Sequence, residues 1–259
     1  MSSLVGALAA TSQGTMQRNS EVNEVFWREG LVGVNYRNRG LDGAVTARRL
    51  VMTLPPTVLA ASGPTFSPAL PAAKMRAAAA VSAAATLSVA AVFPAASAAF
   101  RDGRETWNSD GSAGSFRAFR AGKAGEVLIE AQFRASRAEL LAGQPDEVLF
   151  PLVLRGFEEG LETLPAWEDA LWAERVDWGS EAFSRGAVLA TPSAGTRLTL
   201  AERVSDTIFF AGDSTTASTG AGGIAAAFAS GERVAGEVAL SLNLELQAPD
   251  ANEPILELL

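Results

Sequence analysis

The clearest change of hydrophobic pattern in this chain lies between Asp206 and Val238. An apolar run rich in strand formers, 207–210, is followed by a break at 211–213 and a loop of small residues. From Ile224 to Leu240, apolar residues recur at helical spacing. The pattern predicts a strand, a glycine-rich loop and a helix. The residues predicted to face solvent on that helix are Glu232, Arg233 and Glu237.

The loop of this unit contains Gly220, Gly222 and Gly223 just before the predicted helix. Glycines let the backbone approach a ligand closely, and the free N–H groups of a helix start attract negative charge. A strand, loop and helix can equally be plain packing, and a lone glycine-rich loop does not decide between these interpretations.

The first half of the chain has further periodic segments. A short amphipathic helix is predicted at the N-terminus, which has no basic region typical of a signal peptide. Strands are predicted at 22–27 and 31–36 around a turn at 28–30. A third strand, 49–54, should end at Pro55-Pro56, because proline cannot donate to a sheet.

The segment 77–100 carries no charge, which raises the question of a membrane span. Alanine and serine dominate it and Pro94 interrupts it, so a buried helix end running into a strand is predicted instead.

Residues 101–126 are rich in Gly, Ser and Arg, and predict an exposed loop or hairpin. Their arginines favour a solvated face, with an anion or partner site as the alternative. The remaining predicted elements are a strand at 126–135 and helices at 136–142 and 145–157.

Composition narrows the chemistry. The 259 residues can bury one large core or two modest ones, and the net charge of −8 argues against nucleic acid or anionic membranes as main partners. The chain has no cysteine and no histidine, which removes thiolate and histidine catalysis and the commonest metal ligands. We therefore expect no metal site. The compartment stays open, either cytoplasmic or organellar.

Three segments together resemble the flavin-containing amine oxidases. FFAGDSTT…GGIAAAFASGERVAGEV (209–238) is similar to the C-terminal signature of that family. TFSPALPAAKMRAA (65–78) resembles its F-x-P-x-LP-x-x-K segment, and VDWGSEAFSRGAV (176–188) its W-x-x-DPFSRGAY segment. The resemblance extends from about residue 4 to residue 240.

The resemblance implies an α/β architecture of the amine-oxidase type with FAD and substrate domains. The family begins with a βαβ unit that carries a G-x-G-x-x-G turn, and no such turn occurs in this sequence. Residues 1–60 and 190–245 would be a remnant of the FAD-binding domain, 61–189 the substrate-domain-like region, and 246–259 a tail.

The resemblance also implies cofactor-facing residues and one departure at the catalytic position. Many family members carry a lysine that reaches toward the flavin through water, and Ser88 occupies that position here. A short neutral hydroxyl cannot replace an ammonium, and we expect its neighbours to pack closely around it. The tyrosines of the family's aromatic cage are missing, and no residue is assigned as catalytic. The residues matched to the cofactor site are Val22, Gly212, Asp213, Gly222, Gly223 and Ile224.

Two functions follow as hypotheses. The first is a degenerate or split amine-oxidase-like chain that serves as a non-catalytic structural or interaction subunit of a larger assembly. The second is an FAD-dependent oxidoreductase subunit that completes its FAD site with a second polypeptide. Both require another protein chain, and FAD is expected only in its presence.

Overall fold

A computed structural model describes residues 2–12, 14–111, 114–122, 124–189, 192–216 and 223–244. The chain forms two compact units. Unit 1 comprises Met1–Leu54, Gly63–Ala77 and Ser193–Leu259, and unit 2 comprises Pro55–Ser62 and Ala78–Pro192.

Both units contain helices and strands, numbered in chain order. The helices are α1 (Ser2–Thr11), α2 (Pro56–Ala61), α3 (Ala72–Ala79), α4 (Ala135–Ala142), α5 (Asp146–Arg155), α6 (Ala194–Ala201) and α7 (Ile224–Ser241). The strands are β1 (Ser20–Arg28), β2 (Leu31–Asn38), β3 (Leu41–Ala47), β4 (Leu50–Met52), β5 (Thr65–Ser67), β6 (Ala83–Ala84), β7 (Thr86–Phe93), β8 (Ala99–Phe100), β9 (Thr106–Gly111), β10 (Gly114–Ala121), β11 (Glu126–Arg134), β12 (Leu161–Thr163), β13 (Trp172–Asp177), β14 (Val188–Leu189) and β15 (Ile208–Phe210).

Unit 1 contains a four-stranded sheet in the order β3-β2-β1-β5. The predicted strand pair around the 28–30 turn is confirmed, with β1 antiparallel to β2. The register shifts between Val22 and Glu24, so Asn23 forms a bulge in β1. The sequence did not predict β3, because almost all of its side chains face solvent and no apolar alternation marks it.

The second sheet of unit 1 pairs β4 with β15 in parallel. The predicted strands at 49–54 and 207–210, and the predicted helix from Ile224, are confirmed. Phe209 and Ala211 pack against Val234 of α7 and form a small core. The prediction of solvent-facing side chains holds for Glu232 and is wrong for Arg233 and Glu237, which are half-buried and pair with each other, while Arg233 also turns toward β15.

Unit 2 is built on a five-stranded sheet in the order β13-β7-β11-β10-β9. The hairpin predicted for 101–126, the strand at 126–135 and the helices at 136–142 and 145–157 are confirmed. One face of the sheet packs with α4 and α5 around the main hydrophobic core, which includes Leu87, Val89, Ile129, Phe133, Leu149 and Phe157. Side chains alternate along β7, so Ser88 faces away from this core.

The charge-free segment 77–100 is a helix end followed by β7, as predicted. Among the described residues, no helix combines the length and the apolar character needed to cross a bilayer. The predicted domain boundaries and the observed units differ at three places. Residues 55–60 and 190–192 belong to unit 2, and 63–77 belongs to unit 1, where β5 extends the sheet. The FAD-domain and substrate-domain labels stay predictions, and the tail 246–259 lies outside the described residues.

Candidate functional site

The turn that follows β15 carries two of the matched cofactor residues. Gly212 has φ 129°, a conformation that L side chains rarely adopt, and it precedes a 3-10 turn formed by Asp213–Thr215. A Cβ added to Gly212 would meet no atom of the described residues within 4 Å. Glycine is therefore required here by the backbone conformation.

Side chains of α7 hold the start of this turn. The Gly212 N–H donates to the Ser230 hydroxyl at 2.9 Å. One Arg233 terminal nitrogen donates to the Phe210 carbonyl at 2.7 Å and to Thr215 Oγ1 at 3.2 Å, and the other to Glu237 at 2.6 Å. The strand end and the helix are thus joined by polar contacts as well as by apolar packing.

A buried arginine of α6 holds the end of the same turn. Arg197 is 4% exposed, and one of its terminal nitrogens lies 3.0 Å from the Asp213 carbonyl oxygen. The same nitrogen lies 3.5 Å from the Thr216 carbonyl and 3.4 Å from its hydroxyl. No sequence signal marked this residue, because an arginine in a short helix is expected to face solvent.

Two side chains of the turn are not used in this network. Among the described residues, no hydrogen bond reaches the carboxylate of half-buried Asp213 or the hydroxyl of Ser214. The hydrogen bonds of the turn thus involve its backbone and the Thr215 and Thr216 hydroxyls, and not these two groups. Ser214 was not singled out from the sequence.

The glycine-rich loop is described only at its end. Gly223 has φ 75° and forms the N-cap of α7 without a side-chain cap, and Ile224 is 53% exposed. An added Cβ at Gly223 would likewise meet no atom within 4 Å in the part of the chain that the structure describes. The Ala226 side chain is buried. Gly222 lies outside the described residues.

Val22 is in the four-stranded sheet, next to the bulge in β1, and is 39% exposed. No hydrogen bond between described residues joins it to the turn at Gly212. The structure therefore brings Gly212 and Asp213 onto α7 and leaves Val22 in a separate sheet of the same unit.

Lys74, which the sequence did not assign to the site, is a buried cation of unit 1. Its Nζ donates to the carbonyls of Thr199 and Leu200 at 2.8 and 2.9 Å and lies 3.7 Å from the centroid of the Phe210 ring. Burial lowers the pKa of Lys74 to about 8, Glu202 acting against this shift and Arg233 with it. The contacts bind α3 to the end of α6 and are structural.

Ser88 lies in unit 2 on the face of the sheet opposite the core. Its Oγ accepts a hydrogen bond from Trp178 Nε1 at 3.0 Å. It lines a hollow of about 120 Å³ together with Ser115, Gln132 and the ion-paired Arg117 and Glu130. The expectation that its neighbours pack closely around it is wrong, because long polar side chains of β10 and β11 leave space between them.

Comparison with known proteins identifies the fold. The family model described as flavin containing amine oxidoreductase matches residues 1–239. No curated protein matches the sequence significantly.

Solved structures of amine oxidases match at low identity. Wild-type putrescine oxidase bound to putrescine is 20% identical over 90% of this chain, with a TM-score of 0.64. Cyclohexylamine oxidase from Brevibacterium oxydans IH-35A is 18% identical over 86%, with a TM-score of 0.63. The chain covers 51% and 48% of these two structures, about half of their length. The family match over most of the sequence and the shared fold show that this chain belongs to the flavin-containing amine oxidoreductase family.

Proposed function

We propose that this chain is a non-catalytic structural or interaction subunit derived from the amine oxidases. The observation that carries the proposal is the Ser88 hydroxyl, which stands where the resemblance puts a lysine and accepts a hydrogen bond from Trp178. A neutral hydroxyl can neither supply a positive charge beside a flavin nor reach as far as a lysine. Without a lysine at this position, the chain has no ammonium there to promote the reaction of a reduced flavin with oxygen.

The assembly part of the proposal rests on the sequence and on exposed apolar surface. No G-x-G-x-x-G turn of the kind that holds a dinucleotide occurs within residues 1–259. Ile224 and Phe228 lie one turn apart on α7, and both side chains are about half exposed.

Two measurements on natively purified material test this function. Peroxide release is followed with a panel of primary amines and diamines in oxygenated buffer with added FAD, and the assembly state is followed by sedimentation velocity. We expect no amine-dependent peroxide, together with a species larger than the single chain. Amine-dependent peroxide overturns the non-catalytic assignment, and a monodisperse single chain overturns the subunit assignment.

A second candidate is an FAD-dependent oxidoreductase subunit that completes its FAD site with another chain. The observation that favours it is the Asp213 carboxylate, which lacks a partner among the described residues although the turn around it is fixed. No atom of the described residues lies where a Cβ of Gly212 or Gly223 would come into contact, and none of their side chains caps the α7 N-terminus. These residues fit a ligand that brings hydroxyl donors and carbonyl acceptors, as FAD does.

In this candidate, Asp213 would accept a hydrogen bond from a cofactor hydroxyl, and the N–H groups at the start of α7 would face a cofactor carbonyl. Bound FAD would supply hydride acceptance from an amine or a related C–H bond. The visible absorbance spectrum of the native material tests it. Flavin bands that survive dialysis support the candidate, and their absence with all partner chains present overturns it.

A further inference from the structure

The Gly212–Thr216 turn is held at both ends by side chains from different helices. Ser230 and Arg233 of α7 bind its start, and Arg197 of α6 binds the Asp213 carbonyl and Thr216. We infer that Arg197 is a positioning residue that fixes this turn so that Asp213 presents its carboxylate to a ligand. The inference rests on the flavin-binding candidate and deepens it.

A buried arginine is costly unless its hydrogen bonds are satisfied. Removing a guanidinium from water carries a desolvation penalty that an apolar side chain of similar volume would avoid. One terminal nitrogen of Arg197 lies near three acceptors of the turn, two backbone carbonyls and one hydroxyl. A planar group with a fixed fork of donors can set the relative position of several acceptors, which a flexible ammonium does less well.

The hydrogen bonds from Arg197 and Thr216 reach the backbone of Asp213 but not its side chain. The Asp213 carbonyl accepts from both Arg197 and the Thr216 hydroxyl, at 3.0 and 2.8 Å, so this peptide unit is fixed. The carboxylate takes no part in the network among the described residues. A fixed backbone that carries an unused acceptor costs little further ordering when a ligand binds, which is how a preorganised site gains affinity.

The competing explanation is that Arg197 only stabilises unit 1. The two roles differ in how Arg197 and Asp213 couple. If Arg197 acts through Asp213, its removal should matter for FAD binding only while the carboxylate is present. If Arg197 acts on overall stability, the effects of the two substitutions on the free energy of FAD binding should add.

The experiment uses the native material with any chain that co-purifies. FAD affinity is measured by flavin fluorescence quenching for wild type, Arg197→Met, Asp213→Ala and the double variant. Arg197→Lys keeps a buried cation in case the methionine variant folds poorly. Arg203→Met is the matched control, because it removes an exposed arginine of the same segment whose Nε lies 2.6 Å from Asp206. Amide hydrogen exchange across 206–216 is measured without FAD.

We expect Arg197→Met to weaken FAD binding about tenfold, the usual size for a lost charge-assisted hydrogen bond. The same substitution in the Asp213→Ala background should change the affinity less than about twofold. Without FAD, amide hydrogen exchange in the turn of the Arg197→Met variant should be about tenfold faster, because the hydrogen bonds from Arg197 are lost. Arg203→Met should leave both quantities unchanged, and Arg197→Lys should recover part of the loss.

The outcomes separate the inference from the function on which it rests. Additive losses in the double variant, with wild type binding FAD, overturn the positioning role and leave the flavin candidate standing. Wild type that binds no FAD overturns the flavin candidate, and with it the presentation of Asp213 to this cofactor. Hydrogen exchange then decides whether Arg197 holds the turn, and unchanged exchange in both Arg197 variants overturns that as well.

Discussion

The Nζ atom of Lys74 lies 3.7 Å from the centroid of the Phe210 ring, in a part of unit 1 where Lys74 is only 2% exposed. The contact places a cation over the strand that leads into the Asp213 turn. The same Nζ donates to two carbonyls at the end of α6, so a single side chain connects α3, α6 and β15.

The contribution of Lys74 to the free energy of unfolding should rise with pH through the range in which this side chain titrates. Burial lowers the pKa of Lys74 from 10.5 to about 8, so the unfolded chain binds this proton more tightly than the folded chain. Between about pH 8 and 10.5 the unfolded state therefore carries more protons, and the free energy of unfolding increases with pH. The neutral amine retains two N–H donors for the two carbonyls.

Urea unfolding at intervals from pH 7 to 10.5 measures this effect, with Lys74→Met as the reference. The difference in free energy between wild type and variant should change by roughly 1–3 kcal/mol across the range, in favour of wild type at high pH. A difference that stays constant with pH would show that the Lys74 pKa is not lowered.

Lys74→Met should destabilise unit 1 even where the charge penalty disappears. The carbonyls of Thr199 and Leu200 lose their donor. We expect a cost of about 1–3 kcal/mol at pH 10.5, where most of the penalty for neutralising Lys74 is gone, because buried acceptors would be left unpaired. Chemical denaturation measures it, and Arg76→Met on the same helix is the control.

Much of the fold was predictable because its pattern is local. The strand at 207–210, the helix from Ile224 and the alternation along β11 follow directly from the spacing of apolar residues. β3 was missed because a strand with exposed side chains on both faces leaves no such spacing.

The site was harder to predict, because its contacts join distant segments. Arg233 was expected in solvent, but its guanidinium instead donates to the Phe210 carbonyl at the end of β15 and to the Thr215 hydroxyl. Arg197 reaches acceptors that lie 16 and 19 residues away, which no periodicity encodes. The hollow at Ser88 depends on side chains of three strands together.

Asp213→Ala should weaken FAD retention by about 1–3 kcal/mol and leave stability nearly unchanged. The carboxylate would be lost as an acceptor for the cofactor, while among the described residues it has no partner to lose. Flavin occupancy after dialysis and the thermal midpoint measure the two effects, with Asp213→Asn as an isosteric control. Full occupancy in the alanine variant would remove Asp213 from the site.

Phe228→Ser should weaken the association of this chain with its partner. Ile224 and Phe228 are 53% and 52% exposed and lie on one face of α7. We expect an interface above roughly 1,000 Å² that includes this face. Sedimentation velocity over a concentration series measures the association, and Leu240→Ser, at the exposed end of the same helix, is the control. Equal association of both variants and wild type would exclude this face of α7.

The hollow beside Ser88 changes what a lysine at this position would do. The sequence alone favoured a closely packed site in which Ser88→Lys would be costly. The hollow of about 120 Å³ offers room, and the Glu130 carboxylate in its lining, already paired with Arg117, offers a counter-charge that the lysine would share. We therefore expect Ser88→Lys to fold with a cost of no more than about 1–2 kcal/mol, chiefly from losing the acceptor for Trp178 Nε1.

Ser88→Ala and Ser88→Met separate the contributions to that cost. The alanine variant removes only the acceptor, and the methionine variant adds length without charge. If Glu130 accommodates the lysine, Ser88→Lys should be more stable than Ser88→Met at pH 7, and Glu130→Gln should abolish the difference. Thermal midpoints measure these differences, and peroxide release with amines is measured on the same samples. Because the tyrosines of the family's aromatic cage are missing as well, we expect no peroxide from Ser88→Lys. A lysine variant that folds and releases peroxide with an amine would show that the rest of the oxidase site is intact.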